Sequence, residues 1–272
     1  MFKGKRNGGL LLLAAAIATG CMDDRLAGGT GIGNPSQGVV TVAMQAASGV
    51  DGLGKTAAPR NPDGSFTLTD AGGSRITVQE ALANVGRIRL KLPDGLDCKD
   101  AGGAACEAAE AIIPGPMIAD LITGNWLPDP GTIRIPVGAY RRIDVRLEGK
   151  SKDKPGPDSG LDGHSLILKG LFEYAGKADR KLSITLDFDE DVRFVSDPGL
   201  SLDSIGLNRF TIFLDVEKWF TGVDIGKCLD EGKLQLDADG SLAIDKENAC
   251  GLLQSDVKAA IKASGNLRAG KS

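Results

Sequence analysis

The sequence is poor in the side chains on which much hydrolytic and zinc-dependent chemistry depends. Its 272 residues include one histidine, His164, and five cysteines, and aromatic residues make up only 4% of the chain. A lone histidine disfavours both histidine-rich zinc sites and serine–histidine catalysis. The chain also contains no CxxC pair and no GxSxG or HExxH pattern. These absences predict that the protein is not an enzyme.

The N-terminus has the composition of an export signal. Lys3, Lys5 and Arg6 form a positive segment, and residues 10–18 follow as an apolar run of nine residues. Nine helical residues rise about 14 Å, which is far short of the ~30 Å hydrocarbon core of a bilayer. The run therefore predicts the apolar region of a signal peptide, not a membrane span.

The residues that follow this run resemble the lipobox of bacterial lipoproteins. Ile17 and the small residues 18–20 precede Cys21, where that family is cleaved and the cysteine acylated. The resemblance implies lipidation of Cys21 and a membrane contact through the N-terminal lipid. Met22 takes the place at which aspartate retains lipoproteins at the inner membrane, so the outer membrane is expected. The alternative is an ordinary secretory peptide followed by a chance cysteine.

The charge of the exported chain bears on its partners. Removal of residues 1–20 takes away three of 32 cationic residues and none of the 36 acidic residues, which leaves a net charge of −7. An acidic protein has no electrostatic basis for binding nucleic acid. We therefore expect no nucleic-acid partner.

The cysteines predict disulfide bonds. If Cys21 carries lipid, Cys98, Cys106, Cys228 and Cys250 remain, an even number in an exported chain. Four cysteines allow three pairings. The local pairing of Cys98 with Cys106 and of Cys228 with Cys250 closes the shortest loops and is the one we favour. Zinc binding is the rival interpretation, but metal-ligand spacing is absent.

From Gly38 onward, apolar and polar residues alternate in short runs. The clearest run has Ile88 and Leu90 on one face and Arg87 and Arg89 on the other, a half-buried strand with a cationic solvent face. Other runs lie at 40–44, 66–68, 133–137, 143–147, 166–174, 182–188 and 210–216. About nine strands predict a mainly β fold, an antiparallel β-sandwich. The prolines at 114 and 116 are expected to interrupt regular structure.

The C-terminal part has a different pattern. Alternating residues flank Asp237-Ala238-Asp239-Gly240, which predicts a β-hairpin. Residues 252–263 have helical spacing. The predicted organisation is a signal peptide (1–20), a glycine-rich flexible tether (21–37), the sandwich (38–219) and a disulfide-stapled hairpin-plus-helix appendage (220–272).

Several short motifs together resemble an uncharacterised family of bacterial β-sandwich lipoproteins, a domain of unknown function. These motifs are Asp120-Leu121, Pro136-x-Gly138-x-Tyr140, Arg142-Ile143, Gly170 to Tyr174 and Leu186-Asp187-Phe188-Asp189. The resemblance covers residues 38–216 and implies an envelope location and an immunoglobulin- or transthyretin-like sandwich. It implies no activity. Independently, Pro136 and Gly138 predict a sharp turn, and Tyr140 is expected to bond its hydroxyl to backbone, with ligand contact as the alternative.

Two places are candidates for ligand binding. Asp187, Asp189 and Asp191 form, with Glu190, the densest acidic cluster, and paired carboxylates bind calcium or serve glycoside hydrolysis. The alternative is a solvated strand end. Trp126 lies in a predicted loop, where it would either contact a ligand or cover the core. The sequence suggests no cofactor other than calcium.

The predicted function follows from the N-terminal export and lipidation signals and from the absence of catalytic sequence patterns. We expect a membrane-anchored lipoprotein that acts as a non-catalytic binding or adhesion module at the bacterial cell envelope. Its ligand would be a carbohydrate or a protein. The alternative is a structural scaffold in the periplasm without a small-molecule ligand.

Overall fold

The structure is a computed structural model. It describes residues 36–48, 56–57, 59–149, 161, 163–187, 189–245, 250, 253–264 and 266–271. The predicted signal peptide, Cys21 and nearly all of the predicted tether therefore lie outside the described residues. No helix in the described part is long and apolar enough to cross a membrane.

Strands account for most of the described chain. They are β1 (Gln37–Ser48), β2 (Thr56–Ala57), β3 (Phe66–Thr69), β4 (Arg75–Lys91), β5 (Cys106–Glu107), β6 (Glu110–Asp120), β7 (Trp126–Leu127), β8 (Ile133–Pro136), β9 (Gly138–Leu147), β10 (Leu166–Glu173), β11 (Arg180–Leu186), β12 (Glu190–Leu202), β13 (Leu207–Asp215), β14 (Leu242–Ile244) and β15 (Asn266–Lys271). The α-helices are α1 (Ile225–Asp230) and α2 (Leu253–Ser264), and short 3₁₀ helices lie at Cys98–Asp100 and Val216–Trp219.

These strands form two sheets that enclose one hydrophobic core. The smaller sheet has the order β15-β13-β1-β2, with β8 also paired to β1. The larger has the order β12-β9-β4-β10-β11-β14, with β3 and β6 paired to β4, and β5 and β7 paired to β6. The prediction of a mainly β sandwich is confirmed. The sheets are not purely antiparallel, because β1 lies parallel to β13 and β11 parallel to β14. Alternation identifies a strand but carries no information about its direction.

Strand β6 contradicts the expected interruption at the prolines. It runs through Pro114 and Pro116, where its pairing with β4 shifts register. Gly115 lies between them, and a Cβ there would overlap the Val85 carbonyl oxygen. Proline has no N–H group to donate to a neighbouring strand, but at a register shift the regular hydrogen bonds are already interrupted. The prolines therefore interrupt the pairing without ending the strand.

The C-terminal part differs from the predicted hairpin. The turn at Asp237–Ser241 is present, since the Asp237 amide donates to the Ser241 carbonyl over 2.8 Å. The residues before it form no strand, and β14 after it pairs with β11. The predicted helix is confirmed as α2, but β15 was not predicted and adds an edge to the smaller sheet. The hairpin prediction is wrong because β14 pairs with the longer strand β11 and not with the residues before the turn.

Both predicted disulfides are present. Cys98 is bonded to Cys106, and their Cα atoms are 5.4 Å apart. Cys228 is bonded to Cys250, with a Cα–Cα distance of 5.8 Å. The first is at the surface, and the second is buried against the core. The local pairing predicted from loop length is confirmed.

Tyr140 fixes the turn between β8 and β9. Its side chain is fully buried, and its hydroxyl donates to the Pro136 carbonyl over 2.8 Å. The ring centroid lies 5.6 Å from that of Phe210 on β13, so the tyrosine also contacts the smaller sheet. Burial raises the pKa of the phenol, which stays protonated and able to donate. The expected bond to backbone is confirmed.

We expect Tyr140→Phe to lower the free energy of unfolding by about 1–3 kcal/mol, because it leaves the buried Pro136 carbonyl without its donor. Urea denaturation measures the change. Tyr174→Phe is the matched control, since among the described residues the Tyr174 hydroxyl accepts a hydrogen bond only from the exposed Lys177 amine. Equal stability of Tyr140→Phe and wild type would show that the bond does not hold the turn.

Two β-bulges shape strand β4, the longest strand at 17 residues. Gln79 and Gly86 are each an extra residue in the pairing with the neighbouring strands. We call these the Gln79 bulge and the Gly86 bulge. Each one reverses the alternation of buried and exposed positions, so that Val85 and Ile88 are both buried although they lie three residues apart. Bulges of this kind re-aim the side chains that follow them.

Helix α2 is tied to the end of β12 by ion pairs. Glu190 accepts from the ammonium groups of Lys258 and Lys262, with 2.6 Å between Glu190 Oε2 and Lys262 Nζ. These hydrogen bonds lower the pKa of Glu190 from its ordinary 4.5 to about 2. The folded protein therefore holds this proton more weakly than the unfolded chain, and the ion pairs stabilise the fold most when Glu190 is ionised.

The stabilisation by Glu190 is expected to depend on pH. It is fully present above about pH 4.5 and is lost as the pH falls through about 2. Urea denaturation of wild type and Glu190→Gln should show the larger difference at pH 7 and a vanishing difference near pH 2. Glu107→Gln, which removes an exposed carboxylate on β5, serves as control. A difference that does not change with pH would contradict the role of the ion pairs.

Candidate functional site

A groove of about 460 Å³ lies on the solvent face of the larger sheet. Its floor is formed by β10, β11 and β14, and the turn at Asp237–Ser241 borders it. The lining residues are Gln79, Lys169, Gly170, Leu171, Lys181, Leu182, Ser183, Asp237, Asp239, Ser241, Leu242 and Ala243. Its volume falls within the range of about 300–1,000 Å³ that is usual for small-molecule sites.

The Gln79 bulge and Gly170 shape the floor of this groove. The register of β4 and β10 shifts between Lys169 and Gly170, which leaves Gln79 without an opposite residue and exposed. A Cβ on Gly170 would overlap the carbonyl oxygen of Thr77, so the close approach of the two strands requires glycine. The groove therefore lies beside an interruption of the regular strand pairing.

The turn gives the groove an anionic border. The Ser241 hydroxyl lies 2.6 Å from Asp239 Oδ1 and 3.1 Å from Asp237 Oδ2, and the Ser241 amide donates to Asp239 over 3.0 Å. The hydroxyl lowers the pKa of the Asp239 carboxyl, and the amide and the nearby Lys181 ammonium act in the same direction. Both aspartates accept hydrogen bonds from Ser241 within this turn.

The floor supplies donors and apolar surface. Lys169 and Lys181 carry positive charge, and Lys169 is paired with Glu80 over 2.8 Å. Leu171 and Ala243 are half-buried and add aliphatic contact area. Donors, acceptors and an aliphatic surface together fit a small polar ligand such as a saccharide or a short peptide. The lining contains no histidine, cysteine or tyrosine, and its ionisable side chains are those of Lys169, Lys181, Asp237 and Asp239.

The predicted calcium ligands lie elsewhere, and each has a partner in the described part of the chain. Asp187 Oδ1 is 2.8 Å from His164 Nδ1, and Asp189 is paired with Arg146. Asp191 lies 3.2 Å from Arg89 and 3.5 Å from Arg146. Within the described residues, no three acidic, histidine or cysteine side chains gather in a metal-binding arrangement. Calcium binding by these aspartates stays a prediction, without a ligand group in this structure.

Trp126 is placed outside the groove. It lies on β7, and its indole Nε1 donates to the Val42 carbonyl over 2.7 Å. The ring is half-buried and packs against the core, while its neighbour Leu127 is 54% exposed. This geometry corresponds to the interpretation of Trp126 as a residue that covers the core. A role in ligand contact stays a prediction.

A phosphate-loop spacing is also present in the sequence. Gly49, Gly54, Lys55 and Thr56 fit the GxxxxGKS/T pattern, which binds phosphate only between a strand and a helix. Residues 49–55 lie outside the described residues. Thr56 belongs to β2 and is paired with Ser48 of β1 in antiparallel register. The described flanks thus lack the strand–helix context that this pattern needs.

The residues of the groove were not predicted from the sequence. The alternation of β10 and β11 placed Lys169, Lys181 and Ser183 only on solvent-facing positions. Gly170, inside an alternating run, was the available signal, because an isolated glycine in a strand marks a bulge or a close approach of backbone.

Comparisons with known proteins assign no family. No protein-family model matches the chain, and no curated protein matches it. Among solved structures, MbnP from Methylosinus trichosporium is similar over 68% of this chain and 77% of its own, at 14% sequence identity and a TM-score of 0.28. A likeness of this size carries no argument about fold or function.

Proposed function

We propose that this chain is a lipid-anchored, non-catalytic binding module of the bacterial cell envelope, at the outer membrane. The groove between β10, β11 and the Asp237–Ser241 turn is the observation that carries the binding role. It is a concave site of suitable volume on a rigid sheet, with fixed acceptors on its border and donors on its floor. The ligand is a carbohydrate or a short peptide segment.

The anchor rests on the N-terminal sequence and on the cysteines. The charged segment, the short apolar run and Cys21 have the order of a lipoprotein signal. Each buried CH₂ contributes about 0.8 kcal/mol, so several acyl chains hold a protein durably at a membrane. The two disulfides agree with export to an oxidising compartment.

Replacement of Cys21 tests the anchor. We expect wild type, expressed in a bacterium that processes lipoproteins, to incorporate labelled palmitate and to sediment with outer membranes. Cys21→Ser should incorporate no palmitate, because the sulfur atom that carries the lipid is missing. Cys98→Ser is the control, since it removes a cysteine without touching the signal. Palmitate incorporation by Cys21→Ser would contradict lipidation at this residue.

Filling the groove tests the binding role. The probes are N,N′-diacetylchitobiose for carbohydrates and alanyl-alanine for peptides, each titrated into ¹⁵N-labelled protein while backbone amide shifts are recorded. We expect one probe to shift amides of the groove lining saturably. Ser183→Tyr should abolish these shifts, because its ring would occupy the floor. Thr185→Tyr, on the same face of β11 but outside the lining, should retain them.

The result also separates the two candidate functions. If neither probe shifts the groove amides, or if Ser183→Tyr binds as well as wild type, the binding role of the groove is wrong. A lipid-anchored protein with no ligand in the groove would then correspond to the structural scaffold.

A further inference from the structure

Five arginines cluster on the solvent face of the larger sheet, away from the groove. They lie on β4, β9 and β12 and form what we call the arginine face: Arg87, Arg89, Arg142, Arg146 and Arg193. Cross-strand register brings them together, because Arg87 is opposite Arg146, and Asp144 is opposite both Arg89 and Arg193.

Carboxylates beneath the arginines neutralise most of this charge. Asp144 is only 3% exposed, and its oxygens lie 3.1 Å from Arg193 Nε and 3.2 Å from Arg142 Nε. Arg89 lies 3.6 Å from Glu110 and 3.2 Å from Asp191. Arg146 is paired with three acids: Glu148, Asp189 and Asp191. Four of the five guanidinium groups therefore have a carboxylate within 4 Å.

Arg87 is the exception on this face. No carboxylate of the described chain lies within ion-pair distance of it. Its Nε atom is buried without a hydrogen-bond partner, as are the Nε atoms of Arg89 and Arg142, but those two arginines have carboxylates beside them. Its neighbour across the strands is another cation, Arg146, and like charges in direct opposition destabilise a sheet. On the other side it is opposite Pro114, which has no N–H and no charge. A buried donor of a charged group that stays unpaired costs free energy.

The fold holds Arg87 in this position. If Gly86 were paired regularly and formed no bulge, strict alternation from the buried Val85 would turn Arg87 toward the core. The Gly86 bulge instead directs it to the solvent face, beside Arg146. Gly115 lies against the bulge, and a Cβ there would come within 2.6 Å of the Gly86 carbonyl oxygen. The Glu148 carboxylate, the acid nearest Gly86, is engaged with Arg146.

We infer that Arg87, with Arg146 beside it, binds an oxyanion: the carboxylate or phosphate group of a ligand. A guanidinium group offers two parallel N–H donors that match the oxygens of either group. A bound anion would pair with the terminal N–H groups of the half-buried Arg87 and supply the negative charge that this arginine lacks. This site is separate from the groove and does not depend on a ligand there.

The test uses inorganic phosphate and acetate as probes, with sodium chloride at matched ionic strength as reference. Isothermal titration calorimetry and amide shifts of β4 and β9 report binding to the full chain. We expect saturable 1:1 binding of at least one probe, and the stronger of the two indicates whether phosphate or carboxylate is the natural group. Arg87→Gln should weaken it at least tenfold, and Arg87→Lys, which keeps the charge but not the paired donors, should weaken it less.

The controls separate a lost site from a lost fold. Arg134→Gln removes an exposed arginine of β8 on the other sheet and should bind as wild type does. In chloride, Arg87→Gln should unfold at a temperature no lower than wild type, because it removes an unpaired cation. Equal binding by Arg87→Gln and wild type, or no saturable binding of either probe, would overturn the inference.

Discussion

The pairing of β4 with four other strands is the constraint on which the larger sheet depends. Its N-terminal half pairs with β3 and β10, and its C-terminal half pairs with β6 and β9. One strand can pair with all four neighbours only if its apolar side chains point into the core in both halves of the strand. The Gln79 bulge and the Gly86 bulge adjust this face, and glycines opposite them, Gly170 and Gly115, allow the backbones to approach.

The same bulges determine what the solvent face offers. The Gln79 bulge adjoins the groove, and the Gly86 bulge presents Arg87 beside Arg146. Between them, Leu161 and Ile167 pack with Ile118 in a small apolar cluster on the described part of this face. The two candidate sites are therefore distinct regions of one sheet, and each lies where the regular pairing is interrupted.

Much of the fold could be predicted because burial follows alternation. The predicted strand around Ile88 and Leu90 lies in β4 with these residues buried, and Tyr140 makes the predicted bond to backbone. The hairpin and the interruption at the prolines were wrong, since both were local interpretations that ignored the partner strand. Strand β15 was missed because residues such as Arg268 and Gly270 carry no clear alternation.

The sites were harder to predict than the fold. An acidic run such as Asp187 to Asp191 suggests a cation site when it is considered alone. The structure instead pairs Asp189 and Asp191 with arginines of distant strands, Arg146 and Arg89. The pattern Arg87, Arg89, Lys91 correctly predicts a cationic solvent face, but it does not show which arginine lacks a carboxylate. That depends on register, which a single strand does not specify.

Both the position of Arg87 and the core face of β4 depend on the register at the Gly86 bulge. Inter-strand nuclear Overhauser effects between β4 and β9 test this register most directly. A bulge at Gly86 predicts contacts that pair Arg87 with Arg146 and Ile88 with Val145, with Val85 opposite Leu147. Contacts that pair Gly86 with Arg146 and Arg87 with Val145 would show continuous pairing without a bulge. Arg87 would then belong to the core face, which would contradict both the bulge and the oxyanion site.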